Sequence, residues 1–423
     1  MTDLKKSIGL WRGTSMMLNI VLGAGLLTLP GLAAQAAGTG ALSIWIACAL
    51  ATLPLLAVFA ILGRSYPDSG GIATFLQRAF GDFGYVPATF LLFGAVSVGL
   101  PSIALAGGHY AASAFGGSVY AYASVLILGA MAANLASAEI AGRINTVIAS
   151  SLVLVLIAMA VVGWMTVKPT AAVLDGFFQP ALDLETFGLA FMMVFFAFTG
   201  WEVASTLGGE FRNPERDLPL AIGLSFVIAV VLYLTLAVIV AAAGPEAAVE
   251  APFTAILGRA LGAGASQAVA LIAVLMIFAN LSAAIWAVSR MVYSASREEI
   301  LPESLSRLNG GVPLNAVFLT VGVLLTVVGL VSLGFAHLSG LLASAGLNLL
   351  LLYGGGAAAL FVLAKKPSHR VLAGIATALV ALLIAGRGLG ALQYPAILIV
   401  AGAAVAVVRG RGPRQRLFGR KPS

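Results

Sequence analysis

The chain has 423 residues, of which 61% are hydrophobic and 9% are charged, and its formal net charge is +7. Soluble domains carry about 25% charged residues, so this composition excludes a large water-soluble protein. Apolar stretches of about 20 residues recur along the chain, which is the length that a membrane-spanning helix needs. The sequence therefore predicts an all-α polytopic membrane protein, and its lone cysteine, Cys48, excludes a disulfide framework.

Twelve segments are apolar and long enough to be predicted spans. The apolar part of the first one exceeds the roughly 7–15 residues of a signal-peptide core, so we predict that it is a genuine span. A basic tail at 409–423 follows the last one. The spans are predicted at 14–37, 41–62, 86–115, 119–137, 144–165, 186–208, 218–243, 266–295, 314–334, 338–363, 371–386 and 394–408.

The basic residues predict the orientation of these spans. If the N-terminus is cytoplasmic, 20 of the 23 lysines and arginines fall in cytoplasmic segments, and only Lys168, Arg259 and Arg387 lie opposite. Positively charged loops stay in the cytoplasm, so both termini are predicted to be cytoplasmic. The net charge then faces an anionic lipid leaflet, which makes the bilayer the expected partner and excludes a nucleic acid.

The acidic residues single out Glu202, in the stretch FFAFTGWEVAS (195–205). Fifteen of the sixteen acids lie in loops, in tails or at span ends, and only Glu202 lies well inside a span. A carboxylate near a helix centre costs about 2.5–3.5 kcal/mol even on the lenient insertion scale. Such a residue indicates either a functional group or a helix cap, and both interpretations stay open at this point.

Two spans contain helix-breaking residues at corresponding positions. The first span has Gly23, Ala24 and Gly25 near its middle, and the sixth has Thr199 and Gly200 just before Glu202. Glycines in membrane helices often serve only close packing. Here, however, the two sites lie five spans apart in helices that run in opposite directions. Paired interruptions of this kind indicate the central site of a secondary transporter.

Broken helices predict a particular binding chemistry. The amides of Gly25, Leu26 and Leu27 would begin the second half of span 1 without intrahelical acceptors, which suits a carboxylate. The carbonyl groups around 20–22 and 195–198 would suit an ammonium group. Together they predict a site for a zwitterionic amino acid, lined by apolar side chains that also serve helix packing, namely Met16, Met17, Phe195, Phe196, Phe198 and Trp201.

Several stretches resemble the amino acid–polyamine–organocation superfamily. They are FFAFTGWE with the following GGEFRNPERDLPLAI, the stretch SRMVYSASREEILPESLSRLNGGVPLNAV, and the GAG at 23–25. More narrowly, FAILGRSYPDSGGIATFLQRAFG and VGLPSIALAGG are similar to the bacterial exporters of L-methionine and branched-chain amino acids. The likeness covers nearly the whole chain.

The resemblance implies a LeuT-type 5+5 inverted repeat with about 12 transmembrane helices, in the bacterial inner membrane. The repeats would be 14–165 and 186–363, with two further spans in 371–408. The resemblance also implies residue roles: head-group contacts at Gly23, Ala24, Gly25, Leu26, Phe198, Thr199 and Gly200, gating or pocket residues Phe196, Trp201 and Met17, and proton coupling by Glu202. The implied substrates are neutral, hydrophobic amino acids, namely methionine, leucine, isoleucine and valine.

The coupling ion and some rival functions stay open. Some relatives carry a lysine in span 5, whereas this chain reads NTVIASSLVLVLIAMAVVGW there, so a proton is expected but sodium is not excluded. Ser282 and Ser289 are a candidate ion site, although serines in helices usually bond to their own backbone. No catalytic motif or cofactor site is found, so an enzyme is not expected. The alternatives are an importer or exchanger and, more remotely, a channel or receptor.

Overall fold

A computed structural model describes residues 8–66, 71–136, 138–175, 183–204 and 210–411. In these ranges the chain forms α-helices, short 3₁₀ turns and two isolated β-bridges, so the all-α prediction is confirmed. The end of the sixth predicted span after Ala204 and the basic tail after Arg411 lie outside the described residues.

The helices of the described chain are numbered in order. The first half comprises α1 (Leu10–Val21), α2 (Leu29–Ala37), α3 (Ala41–Ser65), α4 (Gly71–Phe80), α5 (Asp82–Phe115), α6 (Val119–Ala136), α7 (Ala138–Val167) and α8 (Ala171–Leu174). The second half comprises α9 (Leu184–Phe195), α10 (Trp201–Ala204), α11 (Pro214–Ala243), α12 (Pro252–Leu261), α13 (Ala263–Arg297), α14 (Leu314–Ser332), α15 (Leu338–Leu363), α16 (Pro367–Arg387) and α17 (Gln393–Arg411).

Helices lie at each of the twelve predicted spans. Within the described ranges, eight helical stretches are long and apolar enough to cross a membrane, and three shorter apolar helices lie at 119–135, 153–167 and 184–198. Several helices begin before the predicted limits; α5, for example, begins at Asp82 rather than at 86, because polar residues at the membrane surface continue the helix. The division into repeats at 14–165 and 186–363 stays a prediction.

The two interrupted spans lie inside the bundle. The first consists of α1, a 3₁₀ turn at Ala24–Leu27 and α2, and the sixth consists of α9, a 3₁₀ turn at Phe196–Phe198 and α10. The first turn contacts α5 and α13, and the second contacts α3 and α15. These uninterrupted helices surround both breaks, so the polar backbone of each break is shielded from lipid, as irregular backbone in a membrane must be.

Two features near the membrane surfaces were not predicted from the sequence. The helix α12 lies between the seventh and eighth spans and packs against α13 and α7. On the other face, Ile8 forms a β-bridge with Phe211: the Ile8 amide donates to the Glu210 carbonyl at 3.0 Å, and the Arg212 amide donates to the Ile8 carbonyl at 2.9 Å. This bridge ties the start of the first span to the segment that follows the sixth.

Candidate functional site

The first span is interrupted at its glycines. Helix α1 ends at Val21, Gly23 is extended with φ −84° and ψ 164°, and the 3₁₀ turn begins at Ala24. The Leu26 amide donates to the Gly23 carbonyl at 3.2 Å. This corrects the prediction that the amides of Gly25, Leu26 and Leu27 are the first without acceptors. In a 3₁₀ turn that starts at Ala24, the first amides, which have no acceptor within the turn, are those of Ala24 and Gly25.

The sixth span is interrupted at Thr199 and Gly200. After the turn at Phe196–Phe198, Thr199 is extended with φ −99° and ψ 171°, and its hydroxyl donates to the Phe196 carbonyl at 2.7 Å. Gly200 has φ +111°, a backbone conformation that side chains with a Cβ rarely adopt. Helix α10 starts directly afterwards at Trp201, so glycine is what allows the chain to restart a helix there.

The two breaks touch each other. A Cβ placed on Gly200 would lie 3.4 Å from both the Val21 Cα and the Ile20 Cγ2 of the first span. The Phe196 ring lies between the spans: its Cε1 would be 3.8 Å from a Cβ on Gly25, and its Cε2 3.1 Å from a Cβ on Gly99 of α5. Sequence reasoning thus correctly expected these segments to be neighbours.

Exposure differs between the residues of the breaks and those around them. Phe198 and Trp201 are each 1% exposed, so they belong to the packed wall. In contrast, five residues at the breaks are only half-buried, namely Gly23, Gly25, Phe196, Thr199 and Gly200. Backbone polar groups are therefore accessible here, among apolar side chains that exclude most of the surrounding solvent.

Tyr233 of α11 bonds to both breaks at once. Its hydroxyl lies 2.8 Å from the Ala197 carbonyl oxygen and 3.3 Å from the Val21 carbonyl oxygen, which are the carbonyl ends of the two first half-helices. The ring packs edge-on against Phe198 and Trp45, with centroids 5.1 Å and 5.8 Å away. Tyr233 therefore holds the two carbonyl ends in fixed positions relative to each other.

Glu202 bonds to its own helix start and to a neighbouring span. Its Oε2 accepts from the Gly200 amide at 2.9 Å and from the Tyr353 hydroxyl of α15. The Tyr353 ring is fixed by edge contacts with Phe59 and Phe195, at 4.7 Å and 5.8 Å between centroids. Glu202 is 8% exposed, and hydrogen bonds to a buried carboxylate are what make its burial tolerable. The helix-cap interpretation thus describes part of its role.

Several buried polar atoms near the breaks have no hydrogen-bond partner among the described residues. They are the Asn19 Oδ1 in α1, the Thr28 Oγ1 after the first turn, the Trp45 Nε1 in α3 and the Trp201 Nε1 in α10. A buried polar atom without a partner costs about 1–3 kcal/mol, so native structures seldom leave it so. All four belong to the two interrupted spans or to α3, which packs against the second 3₁₀ turn.

The remaining predicted residues pack against neighbouring helices. Met17 of α1 is fully buried against α11, with its sulfur 3.9 Å from the Ser225 hydroxyl. Trp201 packs against Phe226 of the same helix. In α13, the Ser282 hydroxyl lies 3.4 Å from the Asn134 amide nitrogen, and the Ser289 hydroxyl donates to the Trp286 carbonyl. The two serines thus bond to protein groups, in keeping with the interpretation that they serve helix contacts.

Sequence reasoning did not find Tyr233, Tyr353 or Trp45. Each is a polar-tipped aromatic residue inside an otherwise apolar span, as in VLYLTL and LLLLYGGG. Such residues usually find a hydrogen-bond partner when buried, and that signal could have marked them. It could not have shown that Tyr233 meets backbone carbonyl groups, that Tyr353 meets a carboxylate, or that the Trp45 Nε1 meets neither among the described residues.

The comparisons with known proteins agree with this architecture. The sequence profile of the amino acid permease family matches residues 8–408. The L-methionine/branched-chain amino acid exporter YjeH of Escherichia coli is 30% identical over 76% of this chain and 78% of its own length. Two Bacillus subtilis proteins are also similar: the uncharacterized amino acid permease YecA is 27% identical over 73% of each chain, and the branched-chain amino acid permease BcaP is 26% identical over 73% of this chain and 70% of its own.

A match over nearly the whole chain, on a helical bundle with two facing interruptions, establishes the relationship. The proteins of this family are transporters and not enzymes. This chain is a multi-pass membrane protein that belongs to the amino acid permease family.

Proposed function

We propose that this protein is a secondary active transporter that exports neutral, hydrophobic amino acids, namely methionine, leucine, isoleucine and valine, in exchange for protons. The observation that carries the proposal is the contact of two broken spans, in which Gly200 lies against Val21 and Phe196 lies near Gly25, with Gly23, Gly25 and Thr199 half-buried beside that contact. A zwitterion binds to such groups through its carboxylate at a helix start and its ammonium at helix carbonyl ends.

The apolar surroundings support a preference for hydrophobic side chains. Phe196, Phe198 and Trp201 line or back the breaks, and the carboxylate of Glu202 is already bonded to Gly200 and Tyr353. A cationic substrate such as arginine or putrescine would need a second acidic group to pair with its side-chain charge. Glu202 is engaged, so a substrate with an uncharged apolar side chain fits best.

Glu202 supports the coupling to protons. It is a buried carboxylate at the break itself, where binding of a proton would weaken the Gly200 and Tyr353 bonds and so alter the sixth span. We propose that Glu202 takes up and releases one proton as the site alternates between the two membrane faces. The alternative is sodium coupling through Ser282 and Ser289, whose hydroxyl oxygens keep a lone pair for a cation beside the bonds that they make to protein groups.

The proposed direction of transport rests on the relatives alone. The E. coli relative is an exporter by name, whereas BcaP of B. subtilis is named a permease, so an importer or exchanger of neutral amino acids is the alternative. The charge bias supports an inner-membrane protein with both termini in the cytoplasm. The pair of breaks supports an inverted repeat of spans 1–5 and 6–10 that rocks around the site.

A substrate panel in proteoliposomes tests the proposal. Methionine, leucine, isoleucine, valine, arginine and putrescine would each be measured with and without an imposed pH gradient. We expect the four apolar amino acids to accumulate against their own gradient when the pH gradient is present, and the two cations not to. Preloaded substrate should accelerate uptake of labelled substrate, which a carrier does and a channel does not. Gradient-independent leakage of all six would contradict the proposal.

A further inference from the structure

The outer end of α5 faces the N-terminal part of α12 through two matched polar pairs. His109 Nδ1 lies 3.9 Å from Glu250 Oε2, and the Ser113 hydroxyl lies 3.0 Å from the Thr254 hydroxyl. His109 and Ser113 are four residues apart, and so are Glu250 and Thr254. The two pairs therefore lie one after the other along the two segments. We call these four residues the α5–α12 clasp. It lies on the membrane face opposite the start of α1.

The clasp borders a cavity of about 380 Å³ lined by those four residues, by Ser266 and by small apolar residues. His109 and Glu250 have side chains that are 28% and 31% exposed, so water and protons reach both. In the hydroxyl pair, Thr254 is 4% exposed and Ser113 is exposed, and neither hydroxyl titrates in water. The charged pair is therefore the part of the clasp that can respond to a proton.

The segment that carries Glu250 is also pressed against the first broken span. A Cβ on Gly31 of α2 would overlap the Val249 carbonyl oxygen, so the backbones of α2 and this segment are in direct contact. On the other side, the Tyr110 hydroxyl of α5 donates to the Leu27 carbonyl at 2.7 Å, at the end of the 3₁₀ turn. A movement of the second half of span 1 must therefore move α12 relative to α5, or be resisted by the clasp.

We propose that the α5–α12 clasp is a proton-sensitive latch that holds the α12 segment against α5, and that His109 is its titrating residue. With neutral His109, the pair is a long polar contact. With protonated His109, it is an ion pair with Glu250, and the closed position gains stability. The proposal rests on the alternating access proposed above, because a latch has a role only if this face opens.

Among the described residues, Glu250 is the charged group that acts on His109. Two further charged residues of this region, Arg259 and Glu246, pair with each other and line a separate cavity against α7 and α11, and Lys168 follows the α7 residue Val167 of that cavity. The α13 residue that faces the cavity of the clasp is Ser266, which does not titrate in water. The latch would respond over the pH range in which His109 gains a proton.

Thiol labelling measures the latch without any transported substrate. In a Cys48→Ala background, Ala255→Cys places a thiol in the cavity wall while keeping all four clasp residues, and Ala263→Cys at the exposed start of α13 corrects for the pH dependence of the thiol itself. The label is a membrane-impermeant maleimide. An ion pair of this exposure shifts an open–closed equilibrium by about three- to fivefold, so we expect the corrected rate to fall by that factor from pH 7.5 to 5.5.

The fall should vanish in both His109→Gln and Glu250→Gln, which leave the hydroxyl pair intact. A corrected rate that does not depend on pH in the parent, or a fall that persists in both variants, would overturn the role of His109. This readout stays informative even if the protein transports no amino acid, so its failure is distinct from failure of the proposed function.

Cross-linking tests whether the clasp opens at all. The Ser113→Cys/Thr254→Cys pair can form a disulfide across the 3.0 Å contact. We expect oxidation to stop methionine transport in proteoliposomes and reductant to restore it, while each single cysteine variant transports in both conditions. Undiminished transport by the fully cross-linked protein would show that α12 does not move in the cycle, and the latch would be excluded.

Discussion

The two helix breaks differ in what occupies the start of the helix that follows them. At the break of the sixth span, the Gly200 amide is already bonded to the Glu202 carboxylate, and Ile20 and Val21 lie against Gly200. At the break of the first span, a Cβ on Gly23 would meet no atom within 4 Å, and the leading amides belong to Ala24 and Gly25. One break is thus closed by the protein's own carboxylate, and the other is open.

Under the proposed function, this difference would orient a bound zwitterion. A carboxylate favours a helix start, and each break is followed by one. Glu202 occupies the start in the sixth span, so the carboxylate of a substrate would bind at the start in the first span. Its side chain would then lie near Phe196, whose ring lies between the two spans. The following variants test this asymmetry.

The largest effect is expected from Glu202→Gln. It removes the negative charge of the carboxylate that accepts hydrogen bonds from the Gly200 amide and the Tyr353 hydroxyl. Hydrogen bonds to charged groups contribute about 1.5–3 kcal/mol. We expect transport to fall about 10- to 100-fold and to lose its response to pH, as measured in proteoliposomes with and without a pH gradient. Glu185→Gln, an exposed acid in the first turn of α9, is the control and should transport normally. Full, pH-dependent transport by Glu202→Gln would remove the proton role.

Two alanine variants compare the breaks directly. Gly200→Ala puts a Cβ at φ +111°, a strain of about 1–3 kcal/mol, so both the Tm and transport should decrease. Gly23→Ala keeps φ −84° and fills open space, so we expect an unchanged Tm and a KM for methionine that is several-fold higher. Thermal unfolding and transport kinetics of both variants provide the measurement. An unchanged KM in Gly23→Ala would mean that the open space beside Gly23 is not where substrate binds.

A smaller effect is expected from Tyr233→Phe, which frees the Val21 and Ala197 carbonyl groups. A hydrogen bond contributes about 1 kcal/mol, so transport should fall roughly fivefold with a modest decrease in Tm. Tyr394→Phe is the matched control, because it also removes a bond to a backbone carbonyl, that of Gly94, but away from both breaks. If both variants reduce transport equally, the effect is one of general stability and not of the site.

The smallest effect is expected at the surface end of the sixth span. Asp183 caps α9 by accepting from the Thr186 amide at 2.9 Å, and this bond lowers the pKa of the Asp183 carboxyl. A lowered pKa in the folded state stabilises the protein above the unfolded value of about 3.9, and the gain is lost as pH falls through the folded pKa. Asp183→Ala should therefore lower the Tm slightly at pH 7 and less at pH 2.5, without affecting transport.

Asp183→Asn is the control for that variant, since asparagine also caps helices but does not titrate. Its Tm difference from the parent should be smaller at pH 7 than that of Asp183→Ala. A Tm difference for Asp183→Ala that is the same at both pH values would contradict the assigned titration.

Much of this protein could be predicted from the sequence because the signals are local. Twelve apolar stretches, the glycines at 23, 25 and 200, and the single acid inside a span each depend on a few neighbouring residues and on the cost of burying polar groups in lipid. The exact start of the second half of span 1 was wrong by one or two residues, because the turn there is 3₁₀, which bonds Leu26 to Gly23. Helix propensity does not distinguish that turn from an α-helical one.

Only the tertiary structure decided how the breaks are held and closed. Tyr233 reaches the Ala197 carbonyl over 36 residues of sequence, and Tyr353 reaches Glu202 over 151. The contact of α12 with Gly31 and the pairing of His109 with Glu250 likewise join distant segments. Such partners are set by which helix faces meet when the bundle packs, whereas the sequence of each span determines only that it is apolar, where it is interrupted and which polar groups it brings into the membrane.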